Sequence, residues 1–356
     1  MEIYVDIDGS IGEGGGSILR VAAAVACCIQ KGIRISKIRA NRKNPGLKMQ
    51  HLVGIQALKH LTQGKTSSIQ EGSINLEFLP GSERHHQFSV DIHTAGSVSL
   101  LTQTLQNSLI IPHAAHSQYT IEVFGGGTYV LGAPGTSYIE EVLFHIFRNL
   151  GYECHLIVHQ HGYYPKGGAR CTLKFKPQLQ REKYKNFHCI NRGEVTGIYV
   201  IIHAHENLRK AQVAERICNT IHKTLFLDLR EKAKYYCEKN YHSSLSVGVG
   251  IDGWLEFDSG IRIGIGTLLG KRGLSSEELG KQVSYQFNSL YRSSYTVDPY
   301  AADQILPFLL LSQSDFEFTI QKLTSHFQTN VKILDILLQQ RPKIIQHSDH
   351  FLITNS

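Results

Sequence analysis

Hydrophobic and polar residues alternate almost perfectly at the amino terminus, where apolar residues occupy the odd positions from 3 to 7. This period of two predicts a half-buried strand. A glycine-rich loop at 8–17 follows, and an alanine-rich helix pattern then runs from 18 to 30 with Ser17 as its predicted N-cap. A strand, a glycine loop and a helix in this order present backbone N–H groups and a positive dipole end to an anion.

The same succession of strand, loop and helix recurs along the chain. Strand patterns are predicted at 33–39, 88–92, 119–123 and 316–320. Helix patterns are predicted at 48–61, 98–109, 137–149, 303–311 and 331–340. Because strands and helices alternate, we expect an α/β or α+β fold.

Residues 187–280 have a different character. Glycine-punctuated strand patterns lie at 247–257 and 261–266, beside one helix pattern. We interpret this stretch as a small inserted α/β domain, which leaves 1–186 and 281–356 to form one large domain.

Composition is that of a folded protein. The 356 residues are 42% hydrophobic and 19% charged, which excludes disorder as the main state. The longest purely apolar run, at 21–29, is too short for a membrane span or a signal peptide. Seven cysteines form no C-x-x-C pair, which argues for reduced thiols and against zinc. We therefore expect a soluble, cytoplasmic protein with no membrane partner.

The formal charge of +7 hides a concentrated basic segment at 31–70. This segment contains nine Lys or Arg and no Asp or Glu, so its local charge of +9 exceeds the total. Clustered like charges repel unless a counter-charge arrives, which favours the phosphates of a nucleotide or a nucleic acid as the partner. The alternative is a solvated basic face.

The glycine loop carries a carboxylate, Glu13, and Arg20 follows one turn into the helix. The loop is not a Walker A motif, because no Lys-Ser or Lys-Thr follows it, and its spacing is not the dinucleotide fingerprint. A Walker-like segment at 266–271 has the wrong glycine spacing and is rejected as well. Glu13 suits a divalent metal and Arg20 suits phosphate oxygens. The alternative is a tight turn with a solvated glutamate.

Arg39 and Arg42 flank a bend, and Gln50 and His51 lie in the first predicted turn of the next helix. Arginine suits phosphate, whereas Gln and His give directed hydrogen bonds to a ribose or a base. The alternative places these side chains on an exposed rim. The Lys-x-Asp-Gly signature of lysine-adenylating ligases is missing, since Asp6 stands where the lysine would be. A covalent nucleotide would therefore need another nucleophile.

Six ordered blocks of the sequence resemble the RNA 3'-terminal phosphate cyclases. They are 8–16 (DGSIGEGGG), 38–51 (IRANRKNPGLKMQH), 94–97 (TAGS), 162–168 (GYYPKGG), 302–304 (ADQ) and 323–326 (LTSH). The match spans nearly the whole chain, and six blocks in one order are far more specific than any single one. The chain departs from the family pattern at Ser17, at His93 and at positions 300–301.

The resemblance implies a large domain of three repeated units, each with two helices on a four-stranded sheet, interrupted by the smaller inserted α/β domain. It also implies an ATP-dependent ligase that converts an RNA 3'-terminal phosphate to a 2',3'-cyclic phosphodiester. The implied route passes through a covalent histidine–AMP intermediate and an RNA adenylate, and it releases AMP and pyrophosphate. ATP, Mg²⁺ (or Mn²⁺) and an RNA with a 3'-terminal phosphate are the implied cofactors and partner.

The resemblance implies site residues as well. His326 resembles the nucleophile that takes AMP from ATP, a step that suits a buried, neutral imidazole. Glu13 and Asp303 resemble the carboxylates for metal and nucleotide. The implied phosphate-binding and catalytic set further comprises Arg20, Arg39, Arg42, Gln50 and His51. The implied nucleotide-binding residues are Gln103, Tyr300, Ala301, Ala302, Asp303 and Gln304.

Two other functions remain as alternatives. A non-catalytic, cyclase-like factor that binds RNA in ribosomal RNA processing would have the same fold and lack the nucleophile, so the presence of His326 with Glu13 argues against it. An enolpyruvyl transferase of related architecture would need a site for phosphoenolpyruvate, and the six blocks do not resemble that family.

Overall fold

The computed structural model describes residues 4–111 and 118–356, and its strands in these ranges form four separate four-stranded sheets. The strands are β1 (Tyr4–Asp8), β2 (Gly32–Ser36), β3 (Lys65–Thr66), β4 (Leu76–Leu79), β5 (Gln87–Asp91), β6 (Tyr119–Phe124), β7 (Glu153–Gln160), β8 (Arg170–Lys176), β9 (Phe187–Cys189), β10 (Val195–His205), β11 (Lys234–His242), β12 (Val249–Phe257), β13 (Arg262–Leu269), β14 (Phe316–Ile320), β15 (Lys343–Gln346) and β16 (Phe351–Thr354). The mixed α/β fold predicted from the sequence is confirmed.

The helices connect these strands and cover the sheets. They are α1 (Gly16–Ile29), α2 (Met49–Thr62), α3 (Val98–Ser108), α4 (Thr136–Tyr138), α5 (Phe144–Asn149), α6 (Val213–Thr224), α7 (Leu227–Lys232), α8 (Ser276–Arg292), α9 (Pro299–Ser312) and α10 (Ser325–Leu338). A π-helical turn at Ile139–Leu143 joins α4 to α5, and 3-10 turns lie at Arg181–Lys183 and Glu206–Leu208.

Three of the sheets share one strand order. The orders are β1-β2-β4-β3, β5-β6-β8-β7 and β9-β14-β16-β15. In each sheet the first two strands are parallel and the other neighbours are antiparallel. A repeat of one unit would produce this common order, and the repeat itself stays a prediction.

The fourth sheet has the different order β11-β10-β12-β13 and a hydrophobic core of its own. Leu279, Val283 and Phe287 of α8 belong to that core, although the predicted boundary at 280 falls inside this helix. β9 begins at the predicted boundary of 187 and pairs with β14 in a different sheet. The two-domain division stays a prediction, and this packing favours bounds that keep α8 with the insert and β9 with the large domain.

Helix α1 lies at the centre of the larger core. Its residues at 21–26, all alanine or valine, are buried, and the helix packs against α2, α3, α9 and α10. Such short side chains let several helices approach one helix closely. The start of α1 therefore comes near the first turns of α2 and α10, which contain His51 and His326.

Two local predictions at the amino terminus need correction. Ser17 is not the N-cap of α1, because the helix already begins after Gly15, and the Ser17 hydroxyl instead donates to Glu13 Oε1 at 2.7 Å. The strand predicted at 33–39 ends at Ser36, because Lys37 and Arg39 have φ values of 52° and 55° that an extended strand excludes. Position 3 of the predicted first strand lies outside the described residues.

Candidate active site

A cleft of about 1290 Å³ lies beside the sheet β11-β10-β12-β13. The glycine loop and residues of α1, α2, α9 and α10 line one wall, and residues of β13 and the start of β12 line the other. The structure brings together eleven of the thirteen residues predicted for the site. They are Glu13, Arg20, Arg39, Arg42, Gln50, His51, Gln103, Tyr300, Asp303, Gln304 and His326.

Ala301 and Ala302 are the two predicted residues that do not line the cleft. Both are 0% exposed and belong to the hydrophobic core. The backbone N–H of Ala301 donates to the side chain of Asp298, the N-cap of α9, at 3.0 Å. The side chains of these two alanines therefore pack in the core, and their nucleotide contact stays a prediction.

Glu13 and His326 form the central contact of the cleft, with 2.8 Å between Glu13 Oε1 and His326 Nδ1. The glycine loop rests on α10, where the Glu13 backbone N–H donates to Thr329 Oγ1 at 3.2 Å across 316 residues of sequence. Gly12 permits this approach. It has a φ of +61°, and a Cβ atom at this position would lie 2.2 Å from Thr329 Oγ1.

Glu13 determines which nitrogen of His326 is free. A carboxylate only accepts hydrogen bonds, so Nδ1 of His326 carries the proton and the lone pair of the neutral ring is on Nε2. The hydrogen bond to Glu13 raises the pKa of His326, and burial opposes it. The imidazole is 48% exposed. The expectation of a buried imidazole is therefore wrong, since the ring is half-exposed. The neutral state stays a prediction, and the raised pKa means that the neutral ring requires a higher pH than a free histidine does.

Both oxygens of the Glu13 carboxylate are held in place. Oε1 accepts from the Ser17 hydroxyl as well as from His326, and Oε2 accepts from Arg42 Nη2 at 3.1 Å. The Glu13 side chain is only 10% exposed. A carboxylate fixed in this way gives the His326 ring one orientation.

Asp303 on α9 supplies the second carboxyl group of the cleft. Its Oδ1 accepts from the Thr324 hydroxyl at 2.7 Å, and its backbone carbonyl accepts from Asn330 Nδ2 at 2.8 Å. Burial, together with the nearby charges of Asp298 and Glu13, raises the pKa of Asp303 to about 7. Carboxylate oxygens are the ligands that Mg²⁺ prefers, and a cation would offset the repulsion between Glu13 and Asp303. The donor set therefore fits a divalent ion.

Arg20 is available for an anion. Among residues 4–111 and 118–356 its guanidinium has no hydrogen-bond or ion-pair partner. Burial lowers the pKa of Arg20 to about 10, which leaves it charged at neutral pH. Arg39, by contrast, braces the bend, since its Nη1 donates to the carbonyls of Asn44 and Gly46 at 2.8 Å each.

His51 is buried at the start of α2 and stays neutral. Its Nδ1 accepts from the Lys48 backbone N–H at 3.0 Å, so its Nε2 carries the proton. Burial, followed by the charges of Arg20 and Arg39, lowers the pKa of His51 to about 3. A Cβ atom at Gly16 would lie 2.2 Å from His51 Nε2, so a glycine is needed where the loop meets this ring.

Comparisons with known proteins decide the family. A family model described as RNA 3'-terminal phosphate cyclase matches residues 11–344. The RNA 3'-terminal phosphate cyclase of Archaeoglobus fulgidus is 37% identical over 94% of this chain and 95% of its own. Those of Caldivirga maquilingensis and Methanosarcina barkeri are each 33% identical, over 98% and 99% of this chain and 97% and 100% of their own. This chain belongs to the RNA 3'-terminal phosphate cyclase family. It is an enzyme of that type, and the resemblance seen in the sequence is confirmed.

The cyclase-family cleft also contains residues that sequence reasoning missed. Lys271 lines the cleft just after β13, at the end of the segment 266–271, which is not a Walker motif. Asn330 lies one turn after His326 on α10 and lines the cleft too. The sequence signal for Lys271 is a cation that directly follows Gly270. The signal for Asn330 is its spacing of four residues from His326, which places both on one face of a helix.

The charged residues that line this cleft favour an anionic substrate. Five are cationic and two are acidic, which gives a net charge of +3 with histidines neutral. The cations are Arg20, Arg39, Arg42, Lys48 and Lys271, and the carboxylates are Glu13 and Asp303. Arg39, Arg42 and Lys48 belong to the basic segment at 31–70, and Arg20 lies in the helix before it. The basic segment therefore lines the cleft with some of its cations.

Proposed function

We propose that this chain uses ATP to convert the 3'-terminal phosphate of an RNA to a 2',3'-cyclic phosphodiester, with AMP and pyrophosphate as the other products. The Glu13–His326 hydrogen bond carries the proposal, because it leaves Nε2 of a neutral imidazole as the free nucleophilic atom in a cationic cleft. The family of the chain and the printed names of its relatives support the same reaction.

A 3'-phosphate needs activation before it cyclises, because the neighbouring 2'-hydroxyl cannot displace oxide from a phosphate dianion. In the first proposed step, the lone pair of His326 Nε2 attacks the α-phosphorus of ATP. A P–N bond forms and the bond to pyrophosphate breaks. The Nδ1 proton stays in its hydrogen bond to Glu13, whose charge offsets the positive charge that develops on the ring.

AMP then passes from the protein to the RNA. A terminal phosphate oxygen attacks the adenylated phosphorus, the P–N bond breaks, and an RNA adenylate results. The 2'-hydroxyl next attacks the 3'-phosphorus, gives up its proton, and AMP leaves. This last step is intramolecular, so a ribose held in one orientation accounts for a large part of its rate.

The other cleft residues divide between the two substrates in this proposal. Gln103, Tyr300 and Gln304 are proposed for the adenosine of ATP. Tyr300 is 55% exposed, so its ring offers a surface for a base. Gln304 Nε2 donates to the backbone carbonyl of Tyr300 at 2.9 Å, which holds the Gln304 side chain beside that ring. The proposed phosphate-binding residues are Arg20, Arg39, Arg42, Gln50 and His51. Arg20 is the strongest candidate among them because its guanidinium has no other partner in the described chain.

Glu13 and Asp303 are the residues we propose for Mg²⁺ (or Mn²⁺). Their oxygens are hard ligands of the kind that Mg²⁺ prefers. Burial, followed by the charges of Asp298 and Glu13, raises the pKa of Asp303, and a bound cation would favour its ionised form. A bound ion supplies charge neutralisation for the triphosphate.

We propose a cytoplasmic location for the same reason that we propose the substrates, since ATP and RNA termini are both present there. In the parts of the chain that the structure describes, no helix combines the length and the apolar character needed to cross a bilayer.

Labelling with α-labelled ATP and Mg²⁺, without RNA, tests the proposal. We expect one acid-labile label per wild-type chain and none in His326→Ala, because a P–N bond is acid-labile and the nucleophile is gone. His347→Ala, at an exposed histidine near the carboxyl end, is the matched control and should label normally. A label that persists in His326→Ala contradicts the proposal. A wild-type chain that binds 3'-phosphorylated RNA and takes no label would instead favour the non-catalytic factor.

A further inference from the structure

Three histidines meet where the second sheet adjoins the insert, outside the residues that line the cleft. His161 directly follows β7, His203 lies in β10, and His242 ends β11. One ring nitrogen from each lies within 4.8 Å of the other two, and His203 Nδ1 is 2.8 Å from His242 Nε2. We call these three residues the histidine junction.

A hydroxyl fixes the tautomer of His161. Thr128 Oγ1 lies 3.2 Å from the carbonyl of Gly162 and 3.0 Å from His161 Nδ1. A carbonyl only accepts, so the one hydroxyl proton of Thr128 goes to Gly162, and Thr128 accepts from Nδ1–H of His161. The lone pair of His161 is therefore on Nε2.

A longer chain of hydrogen bonds fixes His203. Tyr129 donates its only hydroxyl proton to the buried carboxylate of Asp252 at 3.0 Å. Ser137 must therefore donate to Tyr129, at 3.1 Å, and accept from His203 Nε2–H, also at 3.1 Å. The lone pair of His203 is then on Nδ1, which accepts from Nε2–H of His242.

The rings of the histidine junction are neutral at physiological pH. Burial lowers the pKa of His161 to about 2 and that of His203 to about 3, and it lowers the pKa of His242 as well. Neutral imidazole nitrogens are the commonest ligands of transition metals in proteins. Metal-binding histidines usually have their other ring nitrogen held by a partner, as Thr128 and Ser137 hold two of these rings.

We propose that the histidine junction binds one divalent transition-metal ion of the Zn²⁺ class through His161 Nε2, His203 Nδ1 and His242 Nε2. Two of these lone pairs are already in place. The third requires the His242 proton to move from Nε2 to Nδ1, which has no partner in the described chain, so binding releases no net proton. A fourth coordination position stays open to water.

Binding requires a modest rearrangement. Ligand atoms 2.0–2.1 Å from a tetrahedral ion lie about 3.4 Å apart. The 2.8 Å between His203 Nδ1 and His242 Nε2 must therefore lengthen, while His161, whose ring nitrogen lies within 4.8 Å of the other two, closes on them. The ring planes now lie within 33° of one another, so at least one ring must turn to aim its lone pair at the ion. His242 is the natural candidate, since it is half-buried and ends its strand.

The proposed ion would connect the two parts of the molecule. His203 and His242 belong to the inserted sheet, whereas His161 follows a strand of the second sheet. Imidazole ligands select for Zn²⁺ and its neighbours, whereas the carboxylates of the cleft select for Mg²⁺. The two sites are therefore separable by metal, and this inference does not depend on the proposed ATP chemistry.

Cobalt substitution of the full chain tests the inference. We expect one bound Co²⁺ per chain after dialysis, by elemental analysis, with the visible absorption of a tetrahedral cobalt site. His203→Ala and His161→Ala should lose both signals. His60→Ala is the matched control, because His60 pairs only with His85, at 3.2 Å, and two nitrogens make no comparable site. His326→Ala should keep the signals, since His326 belongs to the other site.

A variant at Ser137, whose hydroxyl holds the His203 ring, protects the test against misfolding. Ser137→Ala retains all three ligands, and we expect it to bind Co²⁺ about 10- to 100-fold more weakly. Zn²⁺ should raise the unfolding temperature of the wild type and leave that of His203→Ala unchanged. Absence of bound cobalt in the wild type overturns the proposal, as does an unaltered cobalt spectrum in His203→Ala.

Discussion

The cleft and the histidine junction both contain histidines, and their neighbours give those histidines opposite properties. In the cleft, His326 donates to a carboxylate, which raises its pKa. In the junction, His203 donates to the hydroxyl of Ser137, and burial lowers its pKa to about 3. The hydrogen-bond partner and the burial of an imidazole, rather than its residue type, therefore decide whether its protonated or its neutral form is favoured.

Removal of the Glu13 carboxylate should have the largest effect on His326. In Glu13→Ala, His326 loses the acceptor that holds its proton on Nδ1, so the ring no longer presents a fixed lone pair on Nε2. We expect the rate of labelling by α-labelled ATP to fall about 100-fold or more. Single-turnover labelling measures this rate. Glu77→Ala, which removes an exposed glutamate paired with Arg34, is the control and should label at the wild-type rate. An equal loss in both variants would contradict the role given to Glu13.

A pH titration should distinguish His326 from the histidines of the junction. The protonated ring is inactive and Glu13 raises the pKa of His326, so the labelling rate should fall as pH falls through that raised value. In Glu13→Gln the negative charge is gone, the pKa of His326 falls, and the acid limb of the profile should move to lower pH. NMR titration of the His326 ring in both proteins measures the shift directly. His161 and His203, with pKa values of about 2 and 3, should show no titration near neutral pH. An acid limb that moves to higher pH in Glu13→Gln would refute the assignment.

Much of the fold follows from local pattern, and the exceptions have physical reasons. The alternation at 316–320 predicts β14 to the residue, and the positions of Gln50 and His51 in the first turn of α2 are confirmed. No strand is predicted at 234–242 from the sequence. This segment is the edge strand β11, paired only with β10 in its sheet, and its charged and tyrosine-rich sequence hides a strand period. Edge strands are half-solvated, so their hydrophobic alternation is weak.

The site was predictable wherever its residues lie in short blocks. Glu13 lies in one block with Arg20 four residues beyond its end, and Arg39 to His51 lie in another, so the spacing within the chain already indicates the chemistry. The histidine junction has no such spacing, because its three histidines lie in or next to three separate strands and meet only in the folded chain. Ala301 and Ala302 show what a motif leaves out, since they follow Tyr300 in the sequence while the period of α9 buries their side chains.

Substitution of Ser17 should have the smallest effect on the labelling rate, and it tests whether the orientation of Glu13 matters. Its hydroxyl donates to the same oxygen, Oε1, that accepts from His326, at a position where the chain departs from the family pattern. Ser17→Ala leaves the carboxylate with its bonds to His326 and Arg42, so the loss should be about 1 kcal/mol, or about fivefold in the single-turnover labelling rate. Ser10→Ala is the control in the same loop, because that hydroxyl bonds Asp8 and not Glu13. If the orientation of Glu13 governs His326, the Ser17 variant slows and the Ser10 variant does not. Equal rates in the two variants would mean that His326 and Arg42 alone hold the carboxylate.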